Sequence, residues 1–188
     1  MRVAHRQKGI QRGNLRLTHG TEGQVRIMPN WIEGTMKLRG KRKDIKRFLD
    51  NELEASSWYG EQNTLEEQVE CSYDGSYLEY TFKNEPHIKG TRRAFITDDY
   101  LYMSEDEGTA CVSIKQAWSF SATRDDKELD LWKVNAHKYN IDIKLFGVEC
   151  GMEFCQEVIA LKDSDRVIHN VIQYEDWEWD CPFPNMGG

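Results

Sequence analysis

The chain has no apolar run near the ~18 to 20 residues that a membrane-crossing helix needs. Its first residues lack the apolar centre of a secretory signal. Five cysteines, at positions 71, 111, 150, 155 and 181, include no CxxC pair. There is no Gly-rich phosphate loop of the Walker or Rossmann kind and no HExxH. These gaps argue against a helical membrane protein, a nucleotide-loop enzyme and a zincin, and no cofactor is expected. An odd cysteine count without an export signal reads as reduced thiols in a cytosolic protein.

Basic residues are also scarce, and unevenly so. The 188 residues hold 25 Lys and Arg against 32 Asp and Glu, for a net charge of −7. Residues 1–27 carry Arg2, Arg6, Lys8, Arg12, Arg16 and Arg26 against Glu22 alone, a surplus of five positive charges. The remaining 19 bases and 31 acids leave residues 28–188 at −12. A body of that sign is repelled by phosphate backbones and suits a basic partner surface. It also suits plain solubility.

What is present is an aromatic-rich globular pattern, with 39% hydrophobic and 11% aromatic residues. Residues 1–27 contain four glycines and no sustained periodicity, so they read as a flexible basic leader. That leader is either an arm for an anionic surface or an upstream extension of a protein that starts at Met28. Residues 28–188 read as a single domain.

Thr35 to Arg39 alternates as a strand and Gly40 stops it. Lys41 to Leu53 then has a helical stripe of Ile45, Phe48 and Leu49. Its exposed side is basic, through Lys41, Arg42, Lys43, Lys46 and Arg47. A helical turn is expected near Leu65 to Val69. Asp74-Gly75-Ser76 signals a hairpin between strands at 71–73 and 77–82. A second hairpin is expected around Asp98-Asp99, between 92–97 and 100–103, and then an extended segment over 109–120. The spacing of Leu129, Trp132, Ala136 and Tyr139 predicts a helix over 125–139, with Thr123 as its cap and Asn140 as its stop. Strands follow at 141–145, 154–161 and 167–174. The order predicts an α+β fold: a ferredoxin-like split βαβ core with an extended antiparallel sheet and two helices on one face.

Two segments look functional. In Tyr174-Glu175-Asp176-Trp177-Glu178-Trp179-Asp180 aromatics alternate with carboxylates. As an extended strand it would set Tyr174, Asp176, Glu178 and Asp180 on one face, with Glu175, Trp177 and Trp179 on the other. Trp anchors and acids are suited to a basic partner, and the same strand would also shield a sheet edge. His87-Ile88-Lys89-Gly90-Thr91-Arg92-Arg93 is the one dense basic island with a histidine in the body. A metal-free ribonuclease needs a base, an acid and a cation near the scissile phosphate. His87, His137 and His169 are the candidates for base and acid, with Lys89, Arg92 or Arg93 as the cation, and the island gathers His87 with all three cations. Cys150, Cys155, His137 and His169 are too loosely spaced for a zinc site, and no metal is expected.

Met28-Pro29-Asn30-Trp31, the Gly40 stop and the helix after it resemble the opening of YubB/Api92-like domains. These are ferredoxin-like proteins of phages and other mobile elements. The second half is similar too: Ala117-Trp118-Ser119 before a helix, Tyr139-Asn140 at its end, and Glu149-Cys150-Gly151 ahead of Phe154. The resemblance spans most of residues 28–162. It departs at Phe120, where prolines are expected, and has no counterpart for the acidic tail. It implies a mobile-element origin and a fold, and supplies no catalytic residues. Together with the charge, it leads to an expected phage or mobile-element protein that inhibits a host defence nuclease in the anti-CRISPR manner. The expected partner is a host defence protein or ribonucleoprotein, a Cas nuclease or its guide RNA, and no membrane. The alternative is a metal-independent ribonuclease that trims that guide RNA. A structural phage protein with no defence role stands as a third reading.

Overall fold

The computed structural model of the chain describes residues 30–56, 63–103, 108–120 and 130–187. The expected leader therefore lies outside the described residues. β1 (Trp31–Arg39) is the organising strand. It starts earlier than its alternation suggests, because Trp31 to Gly34 belong to it as well. Ile32, Met36 and Leu38 point into the core, while Glu33, Lys37 and Arg39 face outward.

α1 (Arg42–Glu52) follows Gly40 and buries Ile45, Phe48 and Leu49, one stripe of a 3.6-residue period. Its chain leaves directly into β2 (Leu53–Glu54). α2 (Leu65–Gln68) opens on a capping box in which Thr64 and Glu67 satisfy each other's backbone N–H groups. β3 (Val69–Tyr73) and β4 (Leu78–Phe82) form the expected hairpin across Asp74-Gly75-Ser76. Short strands β5 (His87–Ile88), β6 (Ala94–Ile96) and β7 (Tyr100–Met103) lead to β8 (Thr109–Ala117). α3 (Leu131–Tyr139) is followed by β9 (Asp142–Glu149), β10 (Phe154–Ala160), β11 (Val167–Gln173) and a short α4 (Trp177–Asp180).

Eight strands form one antiparallel sheet in the order β11-β10-β9-β1-β8-β6-β5-β2, and β3-β4-β7 form a second sheet. β1 is held on both sides, by β8 from Trp31↔Ala117 to Arg39↔Thr109 and by β9 from Glu33↔Val148 to Arg39↔Asp142. Helices and small sheet share the core face. Leu78, Tyr80, Leu101 and Met103 of the small sheet join Met36, Phe48, Trp132 and Tyr139 in one buried cluster.

This corrects the expected fold class. The molecule is mostly β, and its helices have only 11, 4, 9 and 4 residues among the described residues. It is not a ferredoxin-like split βαβ core carried by two long helices. Residues 53–103 make the difference: they do not simply extend one sheet but build its far end and a separate sheet. The hairpin expected around Asp98-Asp99 is absent too, since β6 and β7 belong to different sheets. The Asp98 carboxylate accepts the Ser113 N–H of β8 at 2.6 Å, and the Asp99 carbonyl accepts the Phe82 N–H of β4 at 2.8 Å. Two neighbouring residues thus hand the chain from one sheet to the other.

α3 is capped by Asp130, whose side chain accepts from the N–H groups of Trp132 and Lys133. Thr123 and residues 125–129 lie outside the described residues. Asn140 ends the helix in the left-handed conformation at φ 56°, as its type suits. The two longer helices touch through Phe48 and Tyr139, edge to face at 5.6 Å. Glu52, buried at the end of α1, accepts from the Tyr139 hydroxyl and from Lys138 at 2.7 Å.

Candidate functional site

The face of the large sheet opposite the helices carries the outward residues of β1, β8 and β9. The C-terminal tail crosses it. After β11 the chain turns at Asp176, which caps α4 by accepting the Trp179 N–H. Trp177 drops inward and packs with Val148, Cys155 and Cys181 as a second small core. Its indole N–H donates to the Pro184 carbonyl at 2.9 Å, and Tyr174 meets its ring edge to face at 5.6 Å. Further along, the Cys150 thiol donates to the Gly187 carbonyl at 2.6 Å. The tail is therefore laced from β10 across β9.

The expected extended strand is corrected at this point: residues 177–180 form a helical turn, and the alternation of faces is lost. Trp177 is a buried anchor. Trp179 is 85% exposed. Asp176 spends its carboxylate on the cap, while Glu178 and Asp180 stay exposed on the same turn. Tyr174 is half-buried, and its phenol pKa is pushed up to about 12 by its hydrogen bond with Cys155 and by burial. Burial likewise raises the Cys155 thiol, which neighbours Cys181.

Beside the tail lies an open cavity of about 570 Å³. Its floor is Glu33 and Thr35 of β1, Ser113 and Lys115 of β8, and Phe146 of β9, and the tail contributes Phe183 and Met186. Lys115 lies 2.6 Å from Glu85 and 5.7 Å from the Trp31 ring, so its charge is balanced inside the site. This cavity was not legible in the sequence. The alternation of Glu33, Thr35 and Lys37 was a partial signal for an outward polar face, but nothing local told that the tail would fold back as its wall.

The histidine island is placed at the other end of the same sheet. The His87 Nδ1 lies 2.6 Å from Glu54 and its Nε2 lies 3.3 Å from the Thr91 hydroxyl, which itself donates to the Ile88 carbonyl. Both ring nitrogens therefore have a hydrogen-bond partner within the chain. Lys89 donates to the Asn51 carbonyl, and Arg92 lies over the Trp118 ring at 5.9 Å. Arg93 adopts φ 53°, and its carbonyl accepts the Ala117 N–H. On the basic side of α1, Arg42 binds the Gly75 and Ser76 carbonyls, Lys46 pairs with Asp50 and Arg47 with Asp44, while Lys41 and Lys43 are exposed.

Among the described residues no three metal-ligating side chains come together. His137 faces the Ser164 carbonyl and His169 the Asp130 carboxylate, away from the cysteines. No helix among the described residues is long and apolar enough to cross a membrane.

No protein-family model, no curated protein and no solved structure matches the chain. The arrangement of the site is the remaining guide: an acidic turn tipped by an exposed indole, braced from beneath, next to an open cavity.

Proposed function

We propose that the chain is an interaction protein of a phage or other mobile element. It inhibits a host defence nuclease by docking its C-terminal acidic turn on a basic surface of that enzyme. The supporting observation is the contrast between two neighbouring tryptophans. Trp177 is buried and holds the turn, whereas Trp179 stands 85% exposed beside Glu178 and Asp180. A side chain of that size, left in water on a braced turn, is a ready anchor. Desolvating such a Trp at the centre of an interface contributes about 2 kcal/mol or more. The carboxylates around it speed the encounter with a basic surface and make it sensitive to salt. The net charge of −12 over residues 28–188 acts in the same direction.

The test is DNA cleavage by purified Cas effector complexes, each loaded with guide RNA, in the presence of the chain. Trp179→Ala is expected to reduce inhibition at least tenfold while leaving the melting temperature unchanged. Glu178→Gln with Asp180→Asn weakens inhibition most at low salt. Full inhibition by Trp179→Ala would remove the turn from the interface. Shortened guide RNA produced by the chain alone, and lost in His87→Ala, would replace the binding reading with a ribonuclease.

A further inference from the structure

Among the described residues the large sheet has two free edges, and they are treated very differently. β2 is only two residues long. β11 has seven, and it pairs with β10 without interruption from Phe154↔Gln173 to Ala160↔Val167. Among the described residues its outer side presents an unpaired ladder of backbone N–H and C=O groups. Proteins protect such edges with Lys, Pro, an inward charge, a bulge, extreme brevity or a covering segment. Val167-Ile168-His169-Asn170-Val171-Ile172-Gln173 contains no Lys, Pro, Asp or Glu. Ile168 is 39% exposed, Ile172 53% and Val171 60%. The tail does not cover this edge, because it turns inward at Tyr174 towards Cys155 and Val148. Among the described residues nothing else pairs with β11.

We propose that β11 pairs antiparallel with β11 of a second copy, so that one sheet runs through a two-fold dimer. The strand is self-complementary about Asn170. A two-fold axis there, perpendicular to the sheet, sets Ile168 opposite Ile172 of the other copy, and does so twice. His169 then meets Val171, and the two Asn170 amides meet each other. Every pair joins side chains of the same face, because Ile168, Asn170 and Ile172 share the register face of Cys155 and Glu157. Cross-strand pairs of β-branched residues are the stabilising unit of such a ladder. An isologous contact of this kind closes on itself, which suits a soluble dimer rather than a fibre. The overall charge of −7 opposes association, but no carboxylate lies on the strand. Asp165 and Glu175 come opposite one another only past its ends, and there they stop the ladder from lengthening.

This inference is independent of the nuclease reading, and its test needs no partner. Light scattering and sedimentation of the full chain over a wide concentration range should give a dimer. Ile172→Lys places a charge on the exposed edge, and it should give a monomer with an unchanged melting curve. Val171→Lys repeats the test on the other face. Asn170→Cys should cross-link under mild oxidation, with peptide mapping joining position 170 of one copy to position 170 of the other. A chain that stays monomeric at every concentration overturns the proposal. So does a dimer that survives both lysine variants. If the full chain is monomeric and a chain starting at Met28 dimerises, the leader occupies the edge and the second copy does not.

Discussion

Gly34 and Gly147 face each other across β1 and β9, and together they make a hollow in the core face of the sheet. A Cβ on Gly147 would come 2.6 Å from the Phe120 ring and 2.8 Å from the Glu33 carbonyl. The Phe120 ring fills that hollow, and its backbone is fixed on both sides: its N–H donates to Gln156 at 2.8 Å, and its carbonyl accepts the Trp132 indole at 2.8 Å. Phe120 is the residue that departs from the resembled family's pattern, and here it is a buried plug. Gly147→Ala is expected to destabilise the protein by about 1 to 3 kcal/mol through overpacking. Part of that cost should vanish in a Phe120→Leu background, because the smaller side chain can yield. Urea unfolding of the single and double variants measures the coupling. Strictly additive losses would mean that the ring does not occupy the hollow.

At the scale of elements, the strands and helices that alternate cleanly were legible in sequence. The stripe of α1, the Asp74-Gly75-Ser76 hairpin, the Asn140 stop and the strands β9 to β11 depend on local periods and local turn chemistry. What was not legible depends on distant partners. Asp98 and Asp99 look like a hairpin turn until β8 and β4 claim them. The tail alternates like a strand, yet the Asp176 cap and the Pro184 carbonyl beneath Trp177 wind it into a turn. A capping residue followed by Cys181-Pro182 was the available signal. The β9–β10–β11 ribbon also carries a pH signature. Burial pushes the Asp142 carboxyl up, but the Lys162 N–H and the Arg39 guanidinium outweigh it and hold its pKa below the ordinary value. Glu157 is held low by Lys144 and Asn170. A depressed carboxyl contributes stability that is fully present above its unfolded pKa of roughly 4. That stability is lost as pH falls through the folded value. Asp142→Asn should therefore cost about 1 kcal/mol at neutral pH, a modest figure because Arg39 is largely exposed. The gap to the parent should be present at neutral pH and narrow at an acid pH below the lowered folded value, where both carry a neutral group. Unfolding curves at the two pH values decide this, and a constant gap would place the effect in packing.

At the scale of the molecule, the two ends of the chain should behave oppositely. The sheet begins at Trp31, and the described core is built wholly from later residues. The tail, by contrast, is the only described cover over Val148 and Cys155, since Trp177 and Cys181 complete that small core. Removing residues 174–188 should expose an apolar strip on β9 and β10 and take away the Phe183 and Met186 wall of the cavity. The loss of one buried indole alone is worth about 3 to 5 kcal/mol where the gap cannot collapse, and less at a surface cluster like this one. A chain ending at Gln173 is therefore expected to melt several degrees lower and to bind a fluorescent apolar dye such as ANS. A chain starting at Met28 should melt with the full-length protein and bind no dye. Trp177→Ala should reproduce much of the C-terminal loss, and Trp179→Ala none of it, although the two residues sit two positions apart. Equal melting of the tail-deleted and full-length chains would show that the turn rests on the sheet without stabilising it. The braced anchor on which the proposed binding surface depends would then not exist.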